Sequence, residues 1–357
     1  MNIKKPQLDD VNIASFTALV TPDELKKTIP LTTQSLAVVK ESRKLVADIL
    51  AGHDKRTLVI MGPCSIHDPK SALEYAARLK ELAHEVSDTM VLIMRAYFEK
   101  PRTTVGWKGF INDPYLDNSF RINDGLHLAR RLLLDITNLG LGVATEALEP
   151  VSPQYIAELI SWTAIGARTA ESQTHRELSS GLSSPVGFKN NTDGNIEVAI
   201  NAMKSAREPH HFLGIDQLGR TSIVATKGNP HCHLILRGGK ESPNYDAQAV
   251  AYAQKLLREA RLCEKLVIDC SHDNSHKDYL RQSEVFLNCI NQIVEGNDQI
   301  VGLMLESHLE GGQQKLSSTL DYGVSITDGC LGFDLSQKLI RAAVQQLKKR
   351  AIKATKR

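Results

Sequence analysis

Eight short apolar runs punctuate the chain, and each stops on, or just before, a residue able to do chemistry. Val59-Ile60-Met61 leads to Cys64, residues 91–94 stop at Arg95, and Gly142-Val143-Ala144 leads to Glu146. Residues 164–167 lead to Arg168, Val186-Gly187-Phe188 to Lys189, and Leu234-Ile235-Leu236 to Arg237. Leu266-Val267-Ile268 runs through Asp269 and Cys270 to His272, and residues 302–305 end at Glu306. Segments of helical period separate these runs. Residues 71–86 set Ala72, Tyr75, Ala76, Leu79, Leu82, Ala83 and Val86 on one face, behind an Asp68-Pro69 start. Residues 33–50, 124–139, 153–162, 195–207, 247–262, 279–295 and 335–349 follow the same rule. Strand followed by helix, repeated, predicts an α/β fold with right-handed crossovers. A charge is most costly beside a buried strand, so a charge at every strand end needs a common cause. A (β/α)8 TIM barrel supplies it, because all its strands deliver their C-termini to one face.

Three regions fall outside the eightfold pattern, within a chain expected to be one catalytic domain over 1–357. Residues 1–55 form an N-terminal arm. Residues 209–233 carry two strand-like runs, 212–215 and 222–226, which predict a β-hairpin inserted before the sixth barrel strand. Residues 99–123, rich in Gly, Pro, Asn and Asp, form a loop long enough to be functional. The basic stretch 348–357 is expected to be a solvated end.

Composition narrows the class. The 357 residues exceed the roughly 250 of such a barrel, which the arm and insertions account for. A net charge of +2 gives no global pull toward nucleic acid or an anionic membrane. The first residues lack an apolar signal core, and no apolar run approaches the ~20 residues of a spanning helix. The 6 cysteines are scattered without a CxxC pair, which predicts reduced thiols and a cytoplasmic protein.

The strand-end residues sort into two sets. Cys64, His272 and Glu306 end neighbouring strands, and Asp328 lies just beyond the last of them. A thiolate, an imidazole and two carboxylates suit a divalent ion such as Mn²⁺, Fe²⁺, Co²⁺ or Zn²⁺. Arg95, Arg168, Lys189 and Arg237 end the second, fourth, fifth and sixth strands. These cations would repel one another unless an anion joined them, so a phosphate- or carboxylate-bearing ligand is expected. The run Glu99-Lys100-Pro101-Arg102-Thr103-Thr104 adds cations and hydroxyls, which makes room for a second anionic substrate. Glu146, an acid among bases, could orient a lysine or a water. Three features are set aside. His231-Cys232-His233 alternates faces, so its histidines are taken as surface residues of the insert. Arg237-Gly238-Gly239-Lys240 lacks the Walker spacing, and His276, which could sit one helical turn from His272, is left out because a loop rather than a helix is expected there.

The strings themselves resemble the metal-dependent class I 3-deoxy-D-arabino-heptulosonate 7-phosphate (DAHP) synthases. They are Gly62-Pro63-Cys64-Ser65-Ile66-His67-Asp68, the stretch from Tyr97 through Lys100-Pro101-Arg102-Thr103-Thr104 to Gly109, and Ile165-Gly166-Ala167-Arg168-Thr169. Gly187-Phe188-Lys189-Asn190, Leu236-Arg237-Gly238-Gly239-Lys240, Asp269-Cys270-Ser271-His272 and Ser325-Ile326-Thr327-Asp328 follow in family order over nearly the whole chain. Asn191, where the family pattern has Gly, and Phe333, where it commonly has Trp, depart from it without removing a catalytic group.

The resemblance implies condensation of phosphoenolpyruvate with erythrose 4-phosphate, the first step of the shikimate pathway. It makes Cys64, His272, Glu306 and Asp328 the ligands of one divalent ion, Mn²⁺ foremost. Arg95, Arg168, Lys189 and Arg237 match the grip on phosphoenolpyruvate. Lys100, Pro101, Arg102, Thr103 and Asp328 match the erythrose 4-phosphate contacts. Lys100, Glu146, Lys189 and His272 are the implied catalytic groups, and which of the last three handles the water's proton is left open. The resemblance further implies a homodimer or homotetramer whose arm and hairpin form a pocket for an inhibitory aromatic amino acid. Asp9, Asp10, Ile13, Pro150, Gln154, Leu178, Gly181, Leu182, Phe212, Gly214 and Val224 fall at that pocket. Glycine at position 214 and Pro150 match the tyrosine-sensitive forms, since losing a hydroxymethyl leaves room for a phenol oxygen. The competing readings are a phenylalanine-sensitive form, a synthase acting on another sugar phosphate such as arabinose 5-phosphate, and a catalytically dead barrel kept as a sensor.

Overall fold

The computed structural model describes residues 8–102 and 106–355, and side chains as far as 349. Eight parallel strands form a closed ring: β1 (Thr57–Gly62), β2 (Met90–Arg95), β3 (Val143–Glu146), β4 (Trp162–Ile165), β5 (Val186–Lys189), and, after the hairpin β6 (His211–Ile215) and β7 (Thr221–Ala225), β8 (Cys232–Leu236), β9 (Leu266–Asp269) and β10 (Ile300–His308). The ring closes because β1 pairs with β10, Leu58 against Gly302 through Gly62 against Glu306. A two-residue strand, β11 (Leu331–Gly332), adds to the end of β10. Helices α1 (Pro22–Thr28) and α2 (Thr33–Ala51) precede the ring, and α3 (Pro69–Glu85) and α4 (Ile122–Asn138) follow β1 and β2. The remaining crossovers carry α5 (Pro153–Ile156), α6 (Gln173–Gly181), α7 (Glu197–Ala206), α8 (Ala247–Glu259) and α9 (Gln282–Glu295), and α10 (Phe333–Thr355) ends the fold. This is the (β/α)8 TIM barrel with its inserted hairpin.

The strand runs are apolar throughout because both faces are buried. Leu58, Ile60, Val91, Ile93, Trp162, Ile235 and Met304 fill the ring's interior. Val59, Met61, Leu92 and Met94 pack outward against the helices. Val46, Ile49 and Leu50, on one face of α2, join the interior cluster and close the ring's lower end. That half of the expected arm is therefore part of the barrel core. The Asp68-Pro69 start holds: the Asp68 carboxylate accepts from the Lys70 and Ser71 amides.

Four expectations shift. The helix predicted over 153–162 is only α5 followed by a 3-10 turn, Ala157–Leu159. Trp162 leaves it to become the first residue of β4, where its indole fills the barrel interior. In consequence β4 ends at Ile165, and Arg168 sits in the turn beyond rather than on the strand end. His233 is buried within β8, where its Nε2 accepts from the Trp162 indole at 3.1 Å, so it is not a surface residue of the insert. Helices α1 and α6 went unforeseen: α1 is short and set by a Thr21–Glu24 capping box, and α6 is largely polar.

Candidate active site

The C-terminal mouth of the ring is a cleft of about 740 Å³. Its walls include Arg95, Lys100, Pro101, Arg102, Glu146, Arg168, Lys189, Arg237, His272 and Asp328. Thr103 lies outside the described residues. Cys64 and Glu306 are fully buried at the base of this face. Single ligand atoms of Cys64, Glu306 and Asp328 all lie within 4.8 Å of one another. The Cys64 Sγ stands 3.5 Å from Asp328 Oδ2 and 3.1 Å from the Lys100 ammonium. Burial, with Glu306 beside it, pushes the Cys64 thiol up to about 11, and Lys100 only partly opposes this. A divalent cation among these donors would remove the penalty on the thiolate, so the residues fit a metal.

His272 does not join the three. It holds a left-handed backbone, φ 56°, and turns its Nδ1 to 2.9 Å from Asp269 Oδ2. That contact is at ion-pair distance, but it lacks hydrogen-bond alignment.

The cations are not left to repel one another, as the sequence had suggested. Arg95 donates to Glu306 Oε1 at 2.8 Å, Lys189 to Asp269 Oδ2 at 2.8 Å, and Arg237 pairs closely with Asp273. Resident carboxylates neutralise these three, so their convergence does not by itself require a ligand. Arg168 is exposed at the lip and has no ion pair among the described residues. Arg95 is further fixed by the Pro63 and Cys64 carbonyls and by the Tyr97 ring, whose centroid is 3.6 Å away. Its position explains Gly62: a Cβ there would lie 2.4 Å from the Arg95 carbonyl oxygen. Gly166 serves Glu146 likewise, since a Cβ would meet Glu146 Oε1 at 2.4 Å. That Oε1 is buried and has no hydrogen-bond partner among the described residues.

Sequence reasoning passed over Asp269, Ser271, Asp273 and Tyr97. Ser271 donates to Glu306 Oε2 at 2.9 Å and so completes that carboxylate's environment. The available signal was an acid inside a strand that is apolar otherwise, at Asp269. A second cavity of about 820 Å³ opens at the opposite end of the ring, where Arg56 pairs with Asp54 and Lys348 with Asp88.

The candidate regulatory residues divide. On the hairpin Phe212 faces Val224 in register, and Gly214 faces Ser222. Thr226 then joins the hairpin's end to α6 through Ser180 Oγ at 2.6 Å, next to Gly181 and near Leu178 and Leu182. Gln154, four residues past Pro150, accepts from the Gln217 amide of the hairpin turn at 2.9 Å. Asp9, Asp10 and Ile13 are exposed on the arm.

Residues 28–341 match the DAHP synthetase I family. The chain is 53% identical to the Tyr-sensitive phospho-2-dehydro-3-deoxyheptonate aldolase of Escherichia coli K12, covering 97% of this chain and 98% of that one. It is 52% identical to the Phe-sensitive enzyme of the same organism, covering 96% and 99%. Among solved structures, phospho-2-dehydro-3-deoxyheptonate aldolase from Francisella tularensis superimposes with a TM-score of 0.93 at 49% identity, over 95% of this chain and 99% of that one. On the barrel, the strand-end constellation and these likenesses together, the chain belongs to the DAHP synthetase I family.

Proposed function

We propose that this enzyme condenses phosphoenolpyruvate with erythrose 4-phosphate and water to DAHP and inorganic phosphate, with the residues of the barrel mouth in the following roles. The observation that carries the assignment is one cleft gathering four strand- or turn-borne cations beside a Cys64–Glu306–Asp328 donor set. Arg95, Arg168, Lys189 and Arg237 hold the phosphate and carboxylate of phosphoenolpyruvate. Lys100, Pro101, Arg102, Thr103 and Asp328 receive erythrose 4-phosphate. Cys64, Glu306 and Asp328, with His272 through Nε2 once its ring moves toward them, hold one divalent ion, with Mn²⁺ the first choice. When bound, that ion supplies Lewis acidity at the aldehyde oxygen.

The methylene carbon of phosphoenolpyruvate attacks the aldehyde carbon, and Lys100, between the two substrates, is set to give the new hydroxyl its proton. Water then adds to C2 of the former enol, and phosphate leaves with the C–O bond electrons. Of the three groups open for the water's proton, Lys189 and His272 are both engaged by Asp269, whereas Glu146 keeps a buried oxygen with no partner among the described residues. Glu146 is therefore the acceptor. Much of the acceleration comes from holding two anions together against their repulsion.

Tyrosine is the feedback inhibitor in this reading, and the enzyme works in the cytoplasm; among the described residues no helix is long and apolar enough to cross a membrane. Overall identity does not separate the two sensitivities, at 53% and 52%. Gly214 therefore carries the choice. The pocket is completed by Asp9, Asp10 and Ile13 from a second copy of the chain, in a homodimer or homotetramer. The test is phosphoenolpyruvate consumption with erythrose 4-phosphate by chelator-stripped protein, before and after Mn²⁺ is restored, with tyrosine, phenylalanine and tryptophan added in parallel. Metal-dependent turnover suppressed chiefly by tyrosine is expected. Folded protein with no turnover under any metal would refute the reaction and turn attention to arabinose 5-phosphate or a sensor.

A further inference from the structure

Asp269 ends β9 fully buried, and no step of the reaction above uses it. Its Oδ1 accepts from the Ser271 amide at 3.0 Å. Its Oδ2 faces two nitrogens at once, the Lys189 ammonium at 2.8 Å and His272 Nδ1 at 2.9 Å. Asn274 ties the same turn down by donating to the Asp269 carbonyl at 2.9 Å. One carboxylate oxygen thus joins a group from the phosphoenolpyruvate grip to a candidate metal ligand.

We infer that Asp269 is a positioning residue through which metal binding and phosphoenolpyruvate binding are coupled. The inference rests on the roles given to Lys189 and His272 in the preceding section. A histidine that binds a metal through one ring nitrogen has the other fixed by a carboxylate or carbonyl, which sets both tautomer and ring direction. Here Nδ1 is the nitrogen on the Asp269 side, so Nε2 is the one left free to ligate. The left-handed turn at His272 is closed by the Lys277 amide, which donates to the His272 carbonyl at 2.8 Å and fixes where the ring starts from. Any movement of the ring toward the donor set changes what Oδ2 offers Lys189, and the reverse is equally true. Linkage then requires each ligand to alter the affinity of the other by the same factor.

The test is Asp269→Asn, which keeps the shape and removes the charge. Mn²⁺ affinity is read from free Mn²⁺ by electron spin resonance, and phosphoenolpyruvate affinity by calorimetry with and without Mn²⁺. Mn²⁺ binding should weaken by about 10- to 100-fold. The ratio of phosphoenolpyruvate affinities with and without Mn²⁺, above one in the parent, should fall toward one. Near-parental Mn²⁺ affinity in Asp269→Asn overturns the inference, as does a lowered affinity with the ratio intact. Should Asp269→Asn fail to fold, Lys189→Met/Asp269→Asn removes a buried cation and anion together, and its Mn²⁺ affinity is compared with that of Lys189→Met. Equal affinities there overturn the inference. His272→Ala separates the two levels: no loss of Mn²⁺ affinity would sink the ligand assignment itself, whereas loss there without loss in Asp269→Asn would sink only the role of Asp269.

Discussion

Glu99 precedes the Lys100 that reaches the Cys64 thiol, and it is buried, with Ser152 donating to it at 3.0 Å. Burial pushes its carboxyl up to about 8, Ser152 draws it partly back, and Glu149 adds to the rise. Its ordinary value is near 4.3, so between roughly pH 4.5 and 8 the folded chain holds a proton that the unfolded chain has lost. Stability conferred by the neutral form is complete below the unfolded value and is lost as pH rises to the folded one, by at most about 1.4 kcal/mol per unit. Glu99→Gln carries no such proton. The melting temperature of Glu99→Gln relative to the parent should therefore climb from pH 5 to pH 8 and level off above; parallel curves would mean that Glu99 stays ionised. At Gly214 the arithmetic is steric. An added Cβ would stand 2.8 Å from Val224 Cγ2, so a serine must displace Val224 before its hydroxyl takes up space. Gly214→Ser is expected to raise the tyrosine concentration for half-inhibition by about tenfold, the 1.4 kcal/mol equivalent of a modest loss of packing. Unchanged tyrosine inhibition would remove position 214 from the effector site.

Between elements, the most instructive contact is Arg130, which leaves α4 wholly buried. Its guanidinium donates to the Ile29 carbonyl at 2.9 Å and the Tyr155 carbonyl at 2.8 Å, and it pairs closely with Glu158. One side chain thus fastens the end of α1 and the end of α5 to the barrel wall. Arg130→Ala strands two carbonyls and an acid, which should cost about 3–5 kcal/mol. Denaturant titration would show it as a lower midpoint with unchanged slope. The same region shows why some elements were unreadable. Residues 153–162 have a helical period, yet Trp162 belongs to the barrel interior, where Gly187 leaves room for the indole and His233 takes its N–H. Local periodicity carries no information about a hydrogen-bond partner 71 residues away. The α3 start was readable because its cap, Asp68, lies beside the helix it caps.

Across the whole molecule, apolar side chains are left uncovered on the hairpin and on the arm. Leu213 and Ile223, partners in register on the hairpin, are 80% and 77% exposed, and Leu8, Val11 and Phe16 of the arm are exposed as well. Patches of this kind mark interfaces, in keeping with the homo-oligomer proposed above. Leu213→Asp/Ile223→Asp should lower the mass measured by light scattering to that of a smaller assembly or a monomer. Tyrosine inhibition should fall with it, because the arm residues would then be missing from the pocket, while turnover by the barrel persists. A double variant of parental mass would place the interface elsewhere.

The barrel, its strand order and the residues at its mouth could be read from the chain, because burial on both strand faces writes apolar runs and a charge beside such a run is too costly to be incidental. The hairpin was readable for the same local reason. What the tertiary structure alone decided is pairing. Arg95 is matched to Glu306 across 211 positions, Lys189 to Asp269 across 80, and Arg237 to Asp273 across 36. These partners turn a row of mutually repelling cations into a neutralised, rigid mouth, and no local pattern identifies them. The same holds for His272, whose place in the sequence suggests a ligand but whose ring direction depends on Asp269, and for Glu146, whose unpartnered oxygen exists only because Gly166 leaves room beside it. Sequence periodicity reports burial residue by residue; which charge meets which is set by closure of the ring.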